Sequence, residues 1–374
     1  MRVLYDGYIY GSQTAGGINR YFTSLINRLP VSITPFLITY QTRERDYLDH
    51  PNLKRYTYKT FSPGHLSYRF EKRLANYYSR LEKSYLSNIS VFYRIDLAHP
   101  TYYSLSTERE FSQYRCPVVL TVWDMIHEIF PEEMDPTGQR AEEKRKAILS
   151  ARAIICISEN TKRDLLERYP AVRDKVTVSY LASDIDASLS YGPEPVPSRP
   201  YYLYVGSRSS HKNFSGMLSA IVRAVSVRPE LSLCVVGPPF NEVEKRRIVD
   251  LKLTNFVEHY GHVNDRHLAK LYRCSIALVY PSLYEGFGIP PLEAMACGTP
   301  VVVSNASSIP EVVGDAGILF DPKSSRDLAD ILLLLFDNPA KREALIAKGH
   351  ERVKVFSWDK TVAQTLTVYR SVCD

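Results

Sequence analysis

A chain of 374 residues exceeds what one ordinary hydrophobic core organises, so two domains are expected. With 45% apolar and 24% charged residues, the composition is that of a soluble globular protein and excludes disorder over any long stretch. A net charge of +6 is compatible with anionic substrates or an acidic membrane surface and demands neither.

The chain opens on RVLYDGYIY, a predicted strand, followed by the glycine-rich turn TAGGINRY and the helical pattern RYFTSLINRL. Doubly wound α/β folds begin in this way. Further strands are predicted at Thr34–Thr39, Leu97–His99, Val118–Thr121, Ala153–Ile157 and Val176–Ser179, with helices at Ser67–Leu86 and Asn160–Tyr169. Ser158 or Asn160 is expected to cap the latter. The alternation implies a mostly parallel sheet. The stretch Asp186–Pro200, with prolines at 193, 195, 197 and 200, admits no regular helix or central strand and reads as a linker.

YYLYVG then restarts the pattern, and loop SRSSHKNF leads to a helix at Phe214–Val227. LSLCVVG, FVEHYGHV, IALVYPS, VVVSN and AGILFD follow as strands, with helices at Asn264–Tyr272, from about Pro291, and at Ser325–Phe336. The expected architecture is therefore α/β, with an N-terminal Rossmann-like domain over 1–186, a linker over 187–200 and a second Rossmann-like domain over 201–355. A closing helix over 356–374 is expected to cross back to the first domain.

The six cysteines form no CxxC pair, and several sit in apolar runs, so buried free thiols in a reducing compartment are expected. The opening MRVLYDGYIYG lacks the apolar core of a secretion signal, and no run approaches the roughly 20 apolar residues of a membrane span. The expectation is a cytoplasmic protein, peripheral at the inner face of a membrane at most.

The stretch YEGFGIPPLEAMACGTPVV carries the densest chemistry. Seven residues separate Glu285 from Glu293, and the preceding strand delivers the loop to the sheet's carboxyl edge, where open α/β sheets bind ligands. Gly286 and Gly288 let backbone N–H groups approach an anion, and Pro290 and Pro291 preset a helix start, with Glu293 expected in its first turn. A helix N-terminus favours a diphosphate, and a carboxylate accepts two hydrogen bonds from a diol. Taken singly, each glutamate could equally be a solvated helix residue. Arg208 and Lys212, in the loop after YYLYVG, are two cations suited to a diphosphate, although alone they read as solvated charges. Gly206 permits close approach there. Gly261–Val263 ends a strand before the N-cap at Asn264. In the first half, Gly16 and Gly17 make a turn into a helix. Asp124 and His127 follow a buried strand, a polar pair suited to hydroxyl recognition and proton handling, or simply a cap and a surface histidine.

Glu285-GFGIPPL-Glu293 with AMACGTPVV resembles the E-x7-E signature of family 4 of the retaining glycosyltransferases, which have the GT-B fold of two Rossmann-like domains facing a cleft. The resemblance implies that Glu285 contacts the transferred sugar and Glu293 the ribose of the nucleotide. It implies that the backbone of Gly286, Phe287, Gly288 and Ile289 donates to sugar hydroxyls and phosphate, and that Arg208 and Lys212 bind the donor diphosphate. By the same resemblance, His262 and Val263 lie where the base is read. GGINRY is similar to the opening of a bacterial subgroup, placing Gly16 and Gly17 in the loop over the donor phosphate. Relatives often carry His where this chain has Trp123. That departure leaves open whether Asp124 or His127 makes the hydroxyl contact, with His127 favoured on the donor sugar and Asp124 nearer the acceptor.

The implied activity is hexosyl transfer with retention from a GDP- or UDP-linked sugar, mannose slightly ahead, to a glycan or lipid-linked acceptor of the O-antigen or capsule type. Neither cofactor nor metal is expected: the DID at Asp184–Asp186 resembles a metal motif but does not follow a nucleotide-binding strand. The basic, tyrosine-rich segment 54–86 suits membrane docking as well as a solvated helix face. No nucleic-acid fold signature accompanies it. The rival readings are a nucleotide-sugar epimerase on the same fold and a non-catalytic glycan- or nucleotide-binding protein. GSQTAGG is not GxGxxG, which disfavours a dehydrogenase.

Overall fold

Short runs of β-branched, aliphatic and aromatic residues build the sheets, and the inner strands are buried on both faces, as parallel strands between helical layers are, while the edge strands are part exposed. The computed structural model describes residues 1–12, 16–39, 48–57, 92–103 and 114–373. The predicted helix Ser67–Leu86, and all of segment 54–86 beyond Thr57, lie outside these residues. Two units emerge: Met1–Tyr180 with Trp358–Asp374, and Leu181–Ser357.

The first unit contains β1 (Arg2–Tyr5), β2 (Thr34–Thr39), β3 (Lys54–Thr57), β4 (Leu97–Ala98), β5 (Val119–Val122), β6 (Ala153–Cys156) and β7 (Val176–Val178). The order β3-β2-β1-β4 continues through a bridge between Ala98 and Val118 to β5-β6-β7, all parallel. Lys54–Thr57, expected to belong to a basic surface segment, instead pairs along β2. The helix Glu159–Arg168 is capped by Ser158, whose Oγ accepts from Thr161 N–H at 2.9 Å.

The last helix, Trp358–Cys373, belongs to this unit. Tyr369 Oη lies 2.6 Å from His99 Nδ1 and 3.0 Å from Tyr5 Oη, all three residues being fully buried. Thr361 Oγ1 donates to Tyr180 O at 2.7 Å. His99 Nε2 meets Thr121 Oγ1 at 2.8 Å, so the imidazole spans β4, β5 and the closing helix.

The second unit contains β8 (Tyr201–Val205), β9 (Ser232–Val236), β10 (Val257–His259), β11 (Ala277–Tyr280), β12 (Val301–Ser304) and β13 (Gly317–Phe320). Its order, β10-β9-β8-β11-β12-β13, is likewise all parallel. β8 carries three buried tyrosines, a choice that works because each phenol finds a backbone carbonyl: Leu271 for Tyr201, Leu332 for Tyr202, Ser207 for Tyr204. Helices Phe214–Val227 and Ser325–Asp337 lay Met217, Ile221, Leu328 and Leu332 over one face of the sheet. A further helix, Pro339–Val353, went unpredicted.

The expected linker over 187–200 and the boundary at 186 differ from this division. Residues from Leu181 onward pack within the second unit. A 3-10 turn at Ala187–Tyr191 lies against helix Asp265–Cys274, with the Arg273 guanidinium 4.1 Å from the Tyr191 ring centroid. His267 Nε2 meets Pro195 O at 2.7 Å, and Lys270 Nζ donates to Gly192 O at 2.6 Å. Prolines exclude helix and ladder but not a packed irregular strap. Among the described residues, no helix is long and apolar enough to cross a membrane.

Candidate functional site

In the second unit β8 and β11 are neighbours from which the strand order runs outward in opposite senses. Loops leaving the carboxyl ends of such a pair diverge and open a crevice, where ligands bind in open α/β sheets. The loop after β8 carries Gly206, Arg208 and Lys212; the loop after β11 carries Glu285 to Gly288. They are stitched together by Leu283 N–H donating to His211 O at 2.7 Å, and by Asn213 Nδ2 donating to Pro281 O and Pro322 O. Gly206 at φ +136° and Gly288 at φ +131° turn the chain through conformations that side-chain-bearing residues rarely adopt.

Across this crevice Lys212 Nζ donates to both carboxylate oxygens of Glu285 at 2.7 Å. The side chains are 21% and 11% exposed, so the pair is only partly screened. Burial, then the Glu285 carboxylate, hold the Tyr280 phenol well above its ordinary value, so Tyr280 stays protonated. Two serines that escaped the sequence reading shape the loop. Glu285 N–H donates to Ser307 Oγ at 2.8 Å, and Ser308 Oγ donates to Glu285 O at 2.9 Å and Phe287 O at 2.7 Å. The only sequence signal was the pair Ser-Ser-Ile-Pro before a short helix.

Glu293 is the fifth residue of helix Ile289–Ala296, so it lies past the first turn in which it was expected. It is buried and accepts from Tyr272 Oη at 2.9 Å and from Ser183 Oγ at 3.4 Å. Pro290 and Pro291 carry no N–H, so the backbone donors at this end are those of Gly286 to Ile289.

Arg208 is not the solvated cation its loop suggests. Its Nε donates to Glu244 Oε1 at 2.8 Å, and Nη2 reaches Glu244 Oε2, Pro238 O and Pro239 O. The guanidinium stacks 4.7 Å from the Phe240 ring centroid, and Nη1 is buried without an acceptor among the described residues. His262 and Val263 follow β10, two strands from β8; His262 is exposed and Val263 half-buried. Asp186 caps the turn after it, accepting from Ser188 N–H at 2.8 Å and Ser188 Oγ at 2.5 Å.

In the first unit, Asp124 Oδ1 accepts from Ile126 N–H at 3.1 Å, a local turn just before the short helix Ile126–Ile129. His127 is buried, not a surface residue, and its Nδ1 has no hydrogen-bond partner among the described residues. Burial, then Lys144, lower its pKa, so the imidazole is neutral at neutral pH. Lys144, which the sequence reading did not single out, is fully buried. Its ammonium donates to Glu128 Oε2 at 2.9 Å and Asp124 O at 3.0 Å, and lies 5.1 Å from the Tyr103 ring centroid. Gly16 and Gly17 are exposed at the start of helix Gly17–Asn27.

The Glycosyltransferase Family 4 model matches residues 15–187 and the Glycosyl transferases group 1 model matches residues 193–352. The chain belongs to the family 4 type of GT-B glycosyltransferases. Among curated relatives, it is 29% identical over 299 residues to O-antigen chain mannosyltransferase B of Escherichia coli, covering 77% of this chain and 74% of the relative. Among solved structures, a sucrose-phosphate synthase from Thermosynechococcus elongatus superposes with a TM-score of 0.76 at 22% identity, covering 99% of this chain and 98% of that one. Anabaena Alr3699/HepE in complex with UDP and glucose superposes at 0.71 with 18% identity, covering 99% and 100%.

Proposed function

We propose that this glycosyltransferase moves a hexosyl group, mannose ahead of other hexoses, from a GDP- or UDP-sugar to a hydroxyl of a glycan or lipid-linked acceptor, with retention and without a metal. The observation that carries the reading is the Lys212–Glu285 pair joining the two loops at the β8/β11 divergence. It sets a cation and a carboxylate side by side, as a substrate with a diphosphate and a polyol at adjacent atoms requires. The similarity to the Escherichia coli mannosyltransferase and to the Anabaena protein bound to UDP and glucose supports the mannosyl and nucleotide-sugar parts.

In this reading Glu285 takes hydroxyls of the transferred sugar and Glu293 takes the ribose diol. The backbone from Gly286 to Ile289 donates to the sugar and phosphate. Lys212 moves its ammonium from Glu285 to the departing diphosphate, and the orphaned Arg208 Nη1 gains an anionic acceptor. The bond from the anomeric carbon to the diphosphate oxygen breaks as the acceptor oxygen bonds that carbon on the same face. The acceptor proton passes to the departing phosphate oxygen. Charge that grows on the leaving group is met by fixed donors, the largest single source of rate in such sites. His262 and Val263 are assigned to the base. Gly16 and Gly17 are assigned to the loop over the donor phosphate, His127 to the donor sugar and Asp124 to the acceptor side, and segment 54–86 to peripheral membrane contact.

The test is thermal unfolding with a panel of UDP-, GDP- and ADP-sugars in chelator, followed by NMR of the anomeric proton in the product. One nucleotide sugar should raise the melting temperature by mass action, and the product should keep the donor's anomeric configuration. Protection by none of them, or an inverted product, sinks the reading.

A further inference from the structure

A second recess lies wholly within the first unit, at the carboxyl edge where β1 and β4 diverge. Its volume is about 260 Å³, just below the roughly 300–1,000 Å³ of pockets for drug-sized ligands, and therefore scaled to one small ring. Tyr8 and Tyr102, from the loops after those two strands, line it as a stacked pair 5.5 Å apart and 12° from parallel. Asp6 locks these loops together: its Oδ1 accepts from Tyr8 N–H, from Thr101 N–H at 2.9 Å and from Thr101 Oγ1 at 2.7 Å. The aromatic wall is therefore preformed.

Beside Met134, Pro136 and Thr137, the rest of the lining is charged or amide: Asp135, Gln139, Arg140 and Glu143. Burial alone would raise the Asp135 carboxyl. The N–H groups of Ala141 and Arg140, with His127 and Thr137, outweigh it and hold the carboxyl below its usual range, so it is ionised at neutral pH. Gln139 Nε2 donates to Glu143 Oε1 at 2.8 Å. One guanidinium and two carboxylates leave the lining one negative charge, which repels phosphate and suits a neutral polyol. The recess adjoins the polar pair described above, since Asp135 and Arg140 both act on His127, and Asp124 acts on Tyr102.

We propose that this recess holds a pyranose ring of the acceptor glycan, the Tyr8–Tyr102 wall taking its apolar C–H face and Asp135, Gln139 and Glu143 its hydroxyls. The acceptor is then recognised by a neutral sugar, not by a phosphate. This rests on the transferase reading and narrows it.

The test is saturation-transfer NMR on the full chain with methyl α-mannopyranoside and methyl α-glucopyranoside, with inorganic phosphate as competitor. At least one glycoside should bind. Tyr102→Ala should weaken it about tenfold, equivalent to roughly 1.4 kcal/mol, and Glu143→Ala severalfold should Tyr102→Ala fail to fold. Glu285→Ala should leave binding unchanged, and phosphate should not compete. Absence of glycoside binding, loss in Glu285→Ala with retention in the recess variants, or displacement by phosphate would overturn the proposal. Thermal protection by nucleotide sugars, read on the same samples, separates the two ideas. Protection without glycoside binding defeats the recess alone, and glycoside binding without protection defeats the donor reading alone.

Discussion

Glu285→Ala and Lys212→Ala should change ligand affinity in opposite patterns. In the unliganded protein the Lys212 ammonium is held by two oxygens at 2.7 Å. At an effective dielectric of about 20 the gross attraction is roughly 6 kcal/mol, and desolvation together with the remaining exposure reduces the net to about 1–3 kcal/mol. Removing Glu285 frees that ammonium for the diphosphate. Bare UDP or GDP should then bind unchanged or up to about tenfold tighter. The nucleotide sugar should lose its advantage over the bare nucleotide, and transfer should fall by roughly a thousandfold or more. Lys212→Ala removes a charge-assisted contact of about 1.5–3 kcal/mol and should weaken bare nucleotide about 10- to 100-fold. Calorimetric titration of wild type, both single variants and the double variant with nucleotide and nucleotide sugar measures all of this. If Glu285→Ala weakens bare nucleotide as much as nucleotide sugar, or Lys212→Ala leaves both unaffected, the division of labour between the two residues is wrong.

Two further outcomes follow from the first unit. Lys144→Met should strand the buried Glu128 carboxylate and cost about 3–5 kcal/mol of stability in urea titration. It should also raise the His127 pKa by removing the nearest cation, seen as an upward shift in an imidazole NMR titration; an unmoved His127 would show that Lys144 does not tune it. Burial lowers His99 to about 3, below its unfolded value, so the unfolded chain binds the extra proton in between. Stability is therefore lost as pH falls from about 6.5 towards 3 and is unaffected by this group above that window. The urea midpoint should drop less between about pH 7 and about pH 4 in His99→Gln than in wild type, and equal drops would refute the assignment.

The E-x7-E loop could be read from sequence because its chemistry is contiguous: strand, two glycines, two prolines and both acids fall within twenty residues. The strand positions were approachable for the same reason, since parallel strands write themselves as unbroken apolar runs. What escaped was set by distant partners. Nothing near Arg208 foretells Glu244, 36 positions on, or the carbonyls that hold the guanidinium. Lys144 sits in AEEKRK, a pattern that reads as solvated, and only packing against Tyr103 and Glu128 buries it. The proline-rich stretch was read as a spacer because composition reports which ladders are forbidden, not which surface a strap will lie on. Tyr8 and Tyr102 are 94 positions apart, and their stacking follows from β1 and β4 being neighbours, a fact of topology.

The closing helix Trp358–Cys373 completes a unit whose other residues end at Tyr180. The half of the chain that leaves the ribosome first is thus the half that finishes last. Until Tyr369 arrives, the His99 imidazole and the Tyr5 hydroxyl lack the partner that satisfies them inside the core. A nascent chain therefore carries an N-terminal unit that lacks its closing helix through the whole synthesis of residues 181–357, a window in which chaperones have something to hold and a premature stop codon near the end does disproportionate harm.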